Sequence, residues 1–181
     1  ANYLHENNHE VTICDNNFRG TLDSFVSHLN FVNCDLTKKE NLDILDTDFD
    51  CVYHFAAING TENFYNIPHK VLTVNALSNI NILEWCVENE IKKILSTSSS
   101  EVYAATLDKK IPTPEDVVLS IDDIRNPRYS YAASKIYGES LFFSYHDNFD
   151  IDVRIVRPHN VYGPRMGFKH VIPQLIHRVH Q

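Results

Sequence analysis

The chain reads as an α/β protein built on a parallel sheet, and two observations predict this. Apolar runs of strand length alternate with longer stretches of helical periodicity, the pattern of strands joined by crossover helices. The middle run, residues 50–57 (DCVYHFAA), is nearly all apolar, as parallel strands covered on both faces are.

The elements can be assigned in chain order. Residues 1–7 have the look of a helix tail, and residues 11–14 (VTIC) read as a first strand running into turn-rich residues 15–20. Residues 30–34 form a second strand, residues 38–45 a helical turn or two, and residues 50–57 the third strand. From 68 to 87 apolar residues recur at helical intervals: Val71, Val74, Leu77, Ile80, Leu83 and Val87. Ile82, Trp85 and Cys86 widen that stripe, so the helix is expected to be covered on more than one side. Residues 92–96 (KKILS) give a fourth strand that runs into a serine cluster. Residues 131–145 have helix-forming composition, with Tyr137, Leu141 and Tyr145 four apart on one face. Residues 152–156 form a fifth strand and 170–179 a last short helix. The Pro- and acid-rich stretch 111–126 reads as a long surface loop of the kind that borders a site.

Composition narrows the function classes. At 181 residues, with 43% hydrophobic and 22% charged residues, the chain is an ordinary globular sequence of about one-domain size. No apolar run approaches the roughly 18 residues a membrane span needs, and residues 1–10, rich in Asn, His and Glu, are unlike a secretory signal. A formal charge of −8 matches a phosphate backbone poorly, so nucleic acid is not an expected partner. Cys14, Cys34, Cys51 and Cys86 form no CxxC pair and read as small core residues of a reducing compartment. The ten histidines are scattered, and His177-x-x-His180 has no thiol or carboxylate at ligand spacing; no metal site is expected.

Several constellations carry chemistry. Asp15 ends the first strand, where a carboxylate can accept hydrogen bonds from an adenosine ribose; standing alone it is also an ordinary turn residue. A glycine fingerprint should precede that acid by about 20 residues, which falls before Ala1. None of the five glycines is spaced as G-x-G-x-x-G, so the expectation is a fragment without its first strand and phosphate-binding loop. Tyr131-Ala132-Ala133-Ser134-Lys135 sets a phenol and an ammonium four residues apart on one helix face. A free phenol ionises near about 10, and bringing it to about 7 requires roughly 4 kcal/mol. A cation about 4 Å away at an effective dielectric of about 20 supplies a similar amount, although a chance pair on a solvated helix has the same spacing. Residues 96–103 (STSSSEVY) place hydroxyls after the fourth strand, either where ligands bind in parallel sheets or as a polar strand end satisfying its own backbone. Residues 157–165 (RPHNVYGPR) come after the fifth strand and, taken alone, are a turn with Gly and Pro.

In this order and spacing the motifs resemble the extended short-chain dehydrogenase/reductase family, the NAD-dependent epimerases and dehydratases of nucleotide sugars. The resemblance covers nearly all of the chain. It rests on the acid-ended strand, Asp35-Leu36, His54-Phe55-Ala56-Ala57, Asn75, the serine run, Y-x-x-x-K followed by Gly138-Glu139, and the turn from Asn160 to Pro164. It implies a Rossmann-like doubly wound parallel sheet, incomplete at both ends, with residues 1–181 a partial NAD-binding domain. Position by position, Asp15 with Asn16 resembles the ribose contact, Asp35-Leu36 the adenine contacts, and Ala56-Ala57 the strand end under the cofactor. Asn75 is similar to an asparagine placed near the cofactor, although a helix-surface amide is the plain alternative. Ser99 resembles the catalytic Ser/Thr, Tyr131 the base and Lys135 its tuning lysine. Pro158 resembles a residue beside the nicotinamide, and Ser99, Ser100 and Asn160 are similar to substrate contacts. Ala104 stands where the family usually has glycine, a departure expected to alter only a local turn.

The implied activity is NAD-dependent epimerisation or dehydration of a nucleotide sugar through a 4-keto intermediate, in the cytoplasm, with a homodimer formed through the two long helices. Glu101, two residues past Ser99, resembles the acid of the dehydratase and decarboxylase branches, and Pro127-Arg128 is similar to some of the same enzymes; an exposed charge at a strand end is the plain reading of Glu101. Asp15 favours NAD over NADP, with nearby Arg19 softening the preference. The alternatives are a UDP-glucuronate decarboxylase-like enzyme and a non-catalytic Rossmann-like binding module. Without the glycine loop and the C-terminal substrate region, the chain by itself is expected to bind cofactor poorly.

Overall fold

Five short strands pair in parallel as two sheets in the computed structural model of the chain, which describes residues 1–18, 27–106, 111–163, 167 and 170–180. After a short helix α1 (Asn2–Glu6), β1 (Thr12–Asp15) pairs with β2 (Asn30–Asn33), Cys14 opposite Val32. The second sheet has the order β3 (Val52–His54), β4 (Lys93–Thr97), β5 (Asp152–Val156), with His54, Ser96 and Ile155 in register. Parallel neighbours need long crossovers. Between β3 and β4 the chain forms α2 (Thr61–Asn66) and α3 (Pro68–Glu88); between β4 and β5 it forms α4 (Ser130–Asn148). A 3-10 turn, Lys39–Ile44, comes after β2, two more, Ser100–Tyr103 and Pro127–Tyr129, lie ahead of α4, and α5 (Val171–Val179) closes the series. Parallel sheets with flanking helices are the Rossmann-like architecture expected.

Helix limits reflect local chemistry. Pro68 opens α3 at the position where its missing N–H would have no helical partner. At the other end Glu90 takes a left-handed φ of 56°, and the Glu90 and Ile91 amides close back on Val87 and Cys86. Ile91 and Cys86 are both buried, giving this cap its usual apolar contact. One apolar cluster joins the two sheets: Cys34 and Leu42 from the β2 side meet Ile82, Leu83, Trp85 and Cys86 of α3, Ile94 of β4 and Phe142 of α4. All four cysteines are free thiols; Cys34 and Cys86 are buried and Cys14 and Cys51 half-buried.

The third strand departs from expectation. Only Val52–His54 is strand, and within and after it Tyr53 is 47% and Phe55 59% exposed, with their rings in edge contact. Val52, His54, Ile94 and Ser96 share the face covered by α3 and α4, whereas Tyr53 lies on the opposite face, so the run is covered on one side. The stripe on α3 also differs: Leu77 is exposed, while Asn75, Ser78, Asn79 and Asn81 are buried. Polar groups replace apolar ones there because they bind backbone and side chains across the seam. Asn81 Nδ2 donates to the Leu36 carbonyl at 2.8 Å, and the Nε2–H tautomer of His54 donates to Asn79 Oδ1 at 2.9 Å. Burial pushes the His54 imidazole down to about 4, so it stays neutral at physiological pH.

Helices α3 and α4 pack closely at Gly138, where a Cβ would come within 2.8 Å of Asn79 Nδ2. Gly138→Ala is therefore expected to push Asn79 off His54 and destabilise the fold by about 1–3 kcal/mol. Chemical denaturation checks this, and a stability equal to wild type would show that the seam has slack.

Candidate active site

The serine run continues the pairing of β4 with β5 beyond the regular strands. The Ser98 amide donates to the Val156 carbonyl at 2.8 Å and the Ser100 amide to the Pro158 carbonyl at 3.0 Å. Pro158 is thereby held against the serines. Ser99 caps the Ser100–Tyr103 turn, its Oγ accepting from the Glu101 amide at 3.2 Å. Ser98 Oγ is buried with no hydrogen-bond partner among the described residues.

Helix α4 delivers Tyr131 and Lys135 to this strand end. Lys135 is 7% exposed; its Nζ donates to the Thr97 carbonyl at 2.7 Å and lies 5.6 Å from the centroid of the Tyr131 ring. Burial pushes the ammonium down to about 8, opposed by the charge of Glu139 one turn further on. Glu139, 5% exposed, takes both oxygens to Arg157, with Nε–Oε1 2.8 Å and Nη2–Oε2 2.6 Å. Arg157 also donates to Tyr103 Oη at 2.9 Å and to the Glu115 carbonyl at 2.8 Å, which ties the end of β5 to the loop before α4. Glu139 beside it holds the guanidinium more firmly protonated than usual. Ser98, Lys135 and Glu139 line a cavity of about 10 Å³, room for about one water and too little for a nucleotide or sugar.

Glu101 is part of a second charged pair. Its Oε1 accepts from Arg128 Nη2 at 2.9 Å, both side chains about one-third exposed. Asn126 fixes the Arg128 backbone, its Oδ1 accepting the Arg128 amide at 3.0 Å as cap of the Pro127–Tyr129 turn. The Arg128 guanidinium lies over the Phe64 ring, 5.4 Å from its centroid, and Phe64 in turn stacks on Tyr131 at 5.2 Å and 14°.

The other expected contacts lie at the ends of β1, β2 and β3. Asp15 is exposed, with Oδ1 accepting the Asn17 amide at 2.6 Å and Oδ2 uncommitted among the described residues; Asn16 Oδ1 accepts the Phe18 amide at 3.0 Å. An exposed carboxylate oxygen at a strand end fits a ribose hydroxyl. Asp35 Oδ1 accepts from the Thr37 amide and hydroxyl, and the Leu36 carbonyl is taken by Asn81. Ala56 is exposed and Ala57 half-buried. Asn75 is 2% exposed and engaged by its own protein: Oδ1 accepts the Ile58 amide at 2.7 Å, and Nδ2 donates to the Ile58 carbonyl and to Ser134 Oγ. It shapes the segment after β3 from below. Asn160 is exposed beyond Pro158. Arg19, Pro164 and Arg165 lie outside the described residues.

The structure thus brings Ser99, Ser100, Glu101, Tyr131, Lys135 and Pro158 to one strand end, and sets Asp15, Asn16, Asp35 and Leu36 on the neighbouring sheet. Sequence reasoning missed the work of Glu139, Arg157 and Phe64. For Glu139 a signal existed, since Tyr131, Lys135 and Glu139 share a four-residue spacing along one helix face. Phe64 carries no such signal. Among the described residues no group of three His, Cys, Asp or Glu side chains can hold a metal ion, and no helix is long and apolar enough to cross a membrane.

Comparison with known proteins shows the family to which the chain belongs. The model of the NAD dependent epimerase/dehydratase family matches residues 1–181. The chain is 31% identical over 158 residues to UDP-glucuronic acid decarboxylase 5 of Arabidopsis thaliana, covering 87% of the chain and 45% of that protein. It is 33% identical over 145 residues to a dTDP-D-glucose 4,6-dehydratase of Dictyostelium discoideum, covering 77% of the chain and 31% of that protein. The chain therefore spans less than half the length of these curated relatives. Among solved structures, an NAD-dependent NDP-hexosamine 5,6-dehydratase involved in tunicamycin biosynthesis superposes with a TM-score of 0.82 at 28% identity, covering 99% of the chain and 56% of that structure.

A displacement of the ammonium from its usual 10.5 to about 8 corresponds to about 3 kcal/mol by which folding is opposed while Lys135 is charged. Its folded value lies below the unfolded one, so the unfolded chain holds the extra proton between these two values and stability rises with pH across that window. Lys135→Met removes the buried charge, offset by the lost bond to Thr97. It is expected to stabilise the fold at neutral pH by about 1–3 kcal/mol and to abolish that part of the alkaline rise. Urea titrations of both proteins at several pH values check this; a destabilised variant would mean that the ammonium contributes more than its burial costs.

Proposed function

Because this chain belongs to the NAD dependent epimerase/dehydratase family, we propose that the protein carrying it is an NAD-dependent nucleotide-sugar epimerase/dehydratase working through a 4-keto sugar. The observation that carries the reading is the placement of the Lys135 ammonium, bonded to Thr97 at the end of β4 and 5.6 Å from the Tyr131 ring. A unit cation this close to the ring favours the anionic form of its phenol, by on the order of a few kcal/mol at an effective dielectric of about 20. Tyr131 then acts as the base that takes the proton of the sugar 4-hydroxyl, with Ser99 hydrogen-bonding the same oxygen. Lys135 stabilises the phenolate before that transfer and would hold a ribose hydroxyl, and Pro158 walls the site. Asp15, with Asn16, Asp35 and Leu36, would hold the adenosine half of NAD, and Ala56 and Ala57 would underlie it, backed by Asn75. When bound, NAD supplies the hydride chemistry. Ser100 and Asn160 would meet the sugar nucleotide.

Glu101 governs the step after oxidation. A 4-ketone acidifies the C5 proton, and a carboxylate held in place by Arg128 is suited to move that proton for dehydration, or to support loss of carbon dioxide from a C6 carboxylate. This supports a dehydratase or a decarboxylase of the kind found among the relatives over a simple epimerase. A non-catalytic binding module has no use for a buried ammonium beside a phenol. Outer-face residues Leu72, Tyr137 and Phe143 of α3 and α4 are exposed and apolar, which supports a homodimer through these helices, and the free thiols and formal charge of −8 suit a cytoplasmic protein that does not bind nucleic acid.

UDP-, dTDP-, GDP- and CDP-sugars added to the intact protein with NAD should give a transient rise in NADH absorbance for one nucleotide class, with its appearance in Tyr131→Phe slower by about 100-fold or more. Glu101→Gln should keep ketone formation while the dehydrated or decarboxylated product, read by mass, falls. Full activity of Tyr131→Phe would remove the reading, and unchanged product from Glu101→Gln would remove the role given to Glu101.

A further inference from the structure

Phe64 has no polar atom, yet it touches both halves of the chemistry proposed above. It sits in the short α2 helix, 4% exposed, packed with Ile58 and Val71 against Val74 and Tyr131. Its ring lies nearly parallel to that of Tyr131, with centroids 5.2 Å apart and 14° between the planes. The Arg128 guanidinium lies over the same Phe64 ring, 5.4 Å from its centroid, while Nη2 holds Glu101 at 2.9 Å. Arg128 Nη1 is buried with no hydrogen-bond partner among the described residues, so on that side the aromatic ring is the support available to the cation. Glu101 in turn gives its amide to Ser99 Oγ at 3.2 Å. A continuous path of contacts results: Lys135, Tyr131, Phe64, Arg128, Glu101, Ser99.

We infer that Phe64 is a positioning residue, a flat platform that fixes the plane of the Tyr131 phenol and seats Arg128 so that Glu101 is held toward the same reaction. This rests on the function proposed above. Two properties of the side chain carry the role. A face-to-face ring restrains rotation of its neighbour about the Cβ–Cγ bond, which an aliphatic group of similar bulk does not do. A π face also attracts a guanidinium, which an aliphatic group does not. Misplacing a proton acceptor by a fraction of an ångström lowers the rate of the chemical step and leaves substrate affinity largely alone.

The test compares Phe64→Leu, Phe64→Tyr and Tyr131→Phe in the intact protein with NAD and whichever nucleotide sugar gives NADH. Phe64→Leu is expected to lower kcat about tenfold with KM within about twofold, and Phe64→Tyr, which keeps the ring, to restore most of the rate. In protein carrying ¹³C-labelled tyrosine, the Tyr131 ring signal, identified by its loss in Tyr131→Phe, should shift and broaden in Phe64→Leu and return in Phe64→Tyr. This second readout needs no turnover and only Phe64→Tyr to be folded: a Tyr131 signal and kcat in Phe64→Tyr as disturbed as in an unfolded or inactive Phe64→Leu would overturn the inference. Wild-type kcat and an unmoved Tyr131 signal in folded Phe64→Leu would overturn it too. Failure of the underlying function is separate, because then Tyr131→Phe keeps its ketone-forming rate whatever is done at Phe64.

Discussion

Lys135 keeps an ammonium inside the protein, bonded to the last carbonyl of β4, and a cation held there against its own burial demands compensation from everything around it. Glu139 supplies part of it from one turn along α4, and Arg157 orients Glu139 through two short bonds. Arg157 extends the effect outward by holding Tyr103 and the Glu115 carbonyl, so the end of β5, the serine turn and the loop before α4 are fixed through one side chain. Removing Arg157 would leave Glu139 as an uncompensated buried ion, so the Glu139–Arg157 pair, unlike the Lys135 charge, unpaired among the described residues, tolerates loss of one member poorly.

A polar seam keeps α4 in place for this purpose. Asn79 meets His54, Asn75 clamps Ile58 and reaches Ser134, and Gly138 lets the two helices approach. Apolar packing alone would hold α3 against α4 with less angular definition; hydrogen bonds between specific atoms fix the rotation of α4 and so the direction in which Tyr131 and Lys135 face. Stability and site geometry are linked through these few side chains, while the larger apolar cluster between the sheets carries most of the burial.

Much of this was legible in the sequence, and the omissions have physical causes. Alternating apolar runs located the five strands of the described residues, and the limits of α3 and α4 lie within a few residues of those read from periodicity, because long periodic segments leave little ambiguity. Tyr131, Lys135 and the serine run announced themselves through spacing. The run at residues 50–57 was read as covered on both faces, whereas Tyr53 and Phe55 are exposed among the described residues. The short α2 helix and the stack of Phe64 on Tyr131 were invisible, since a helix of six residues has no detectable period and a ring contact across 67 positions depends on tertiary packing. Glu101 reads in isolation as an exposed strand-end charge, and only the fold brings Arg128 to it.

One phenol beside one buried cation is the centre of the proposed chemistry, and alkaline difference spectroscopy of the intact protein tests it most directly. Wild-type protein should lose one phenol proton ahead of its other tyrosines, a step absent from Tyr131→Phe and delayed in Lys135→Met. Identical phenol ionisation in all three proteins would contradict the claim that Lys135 acts on Tyr131.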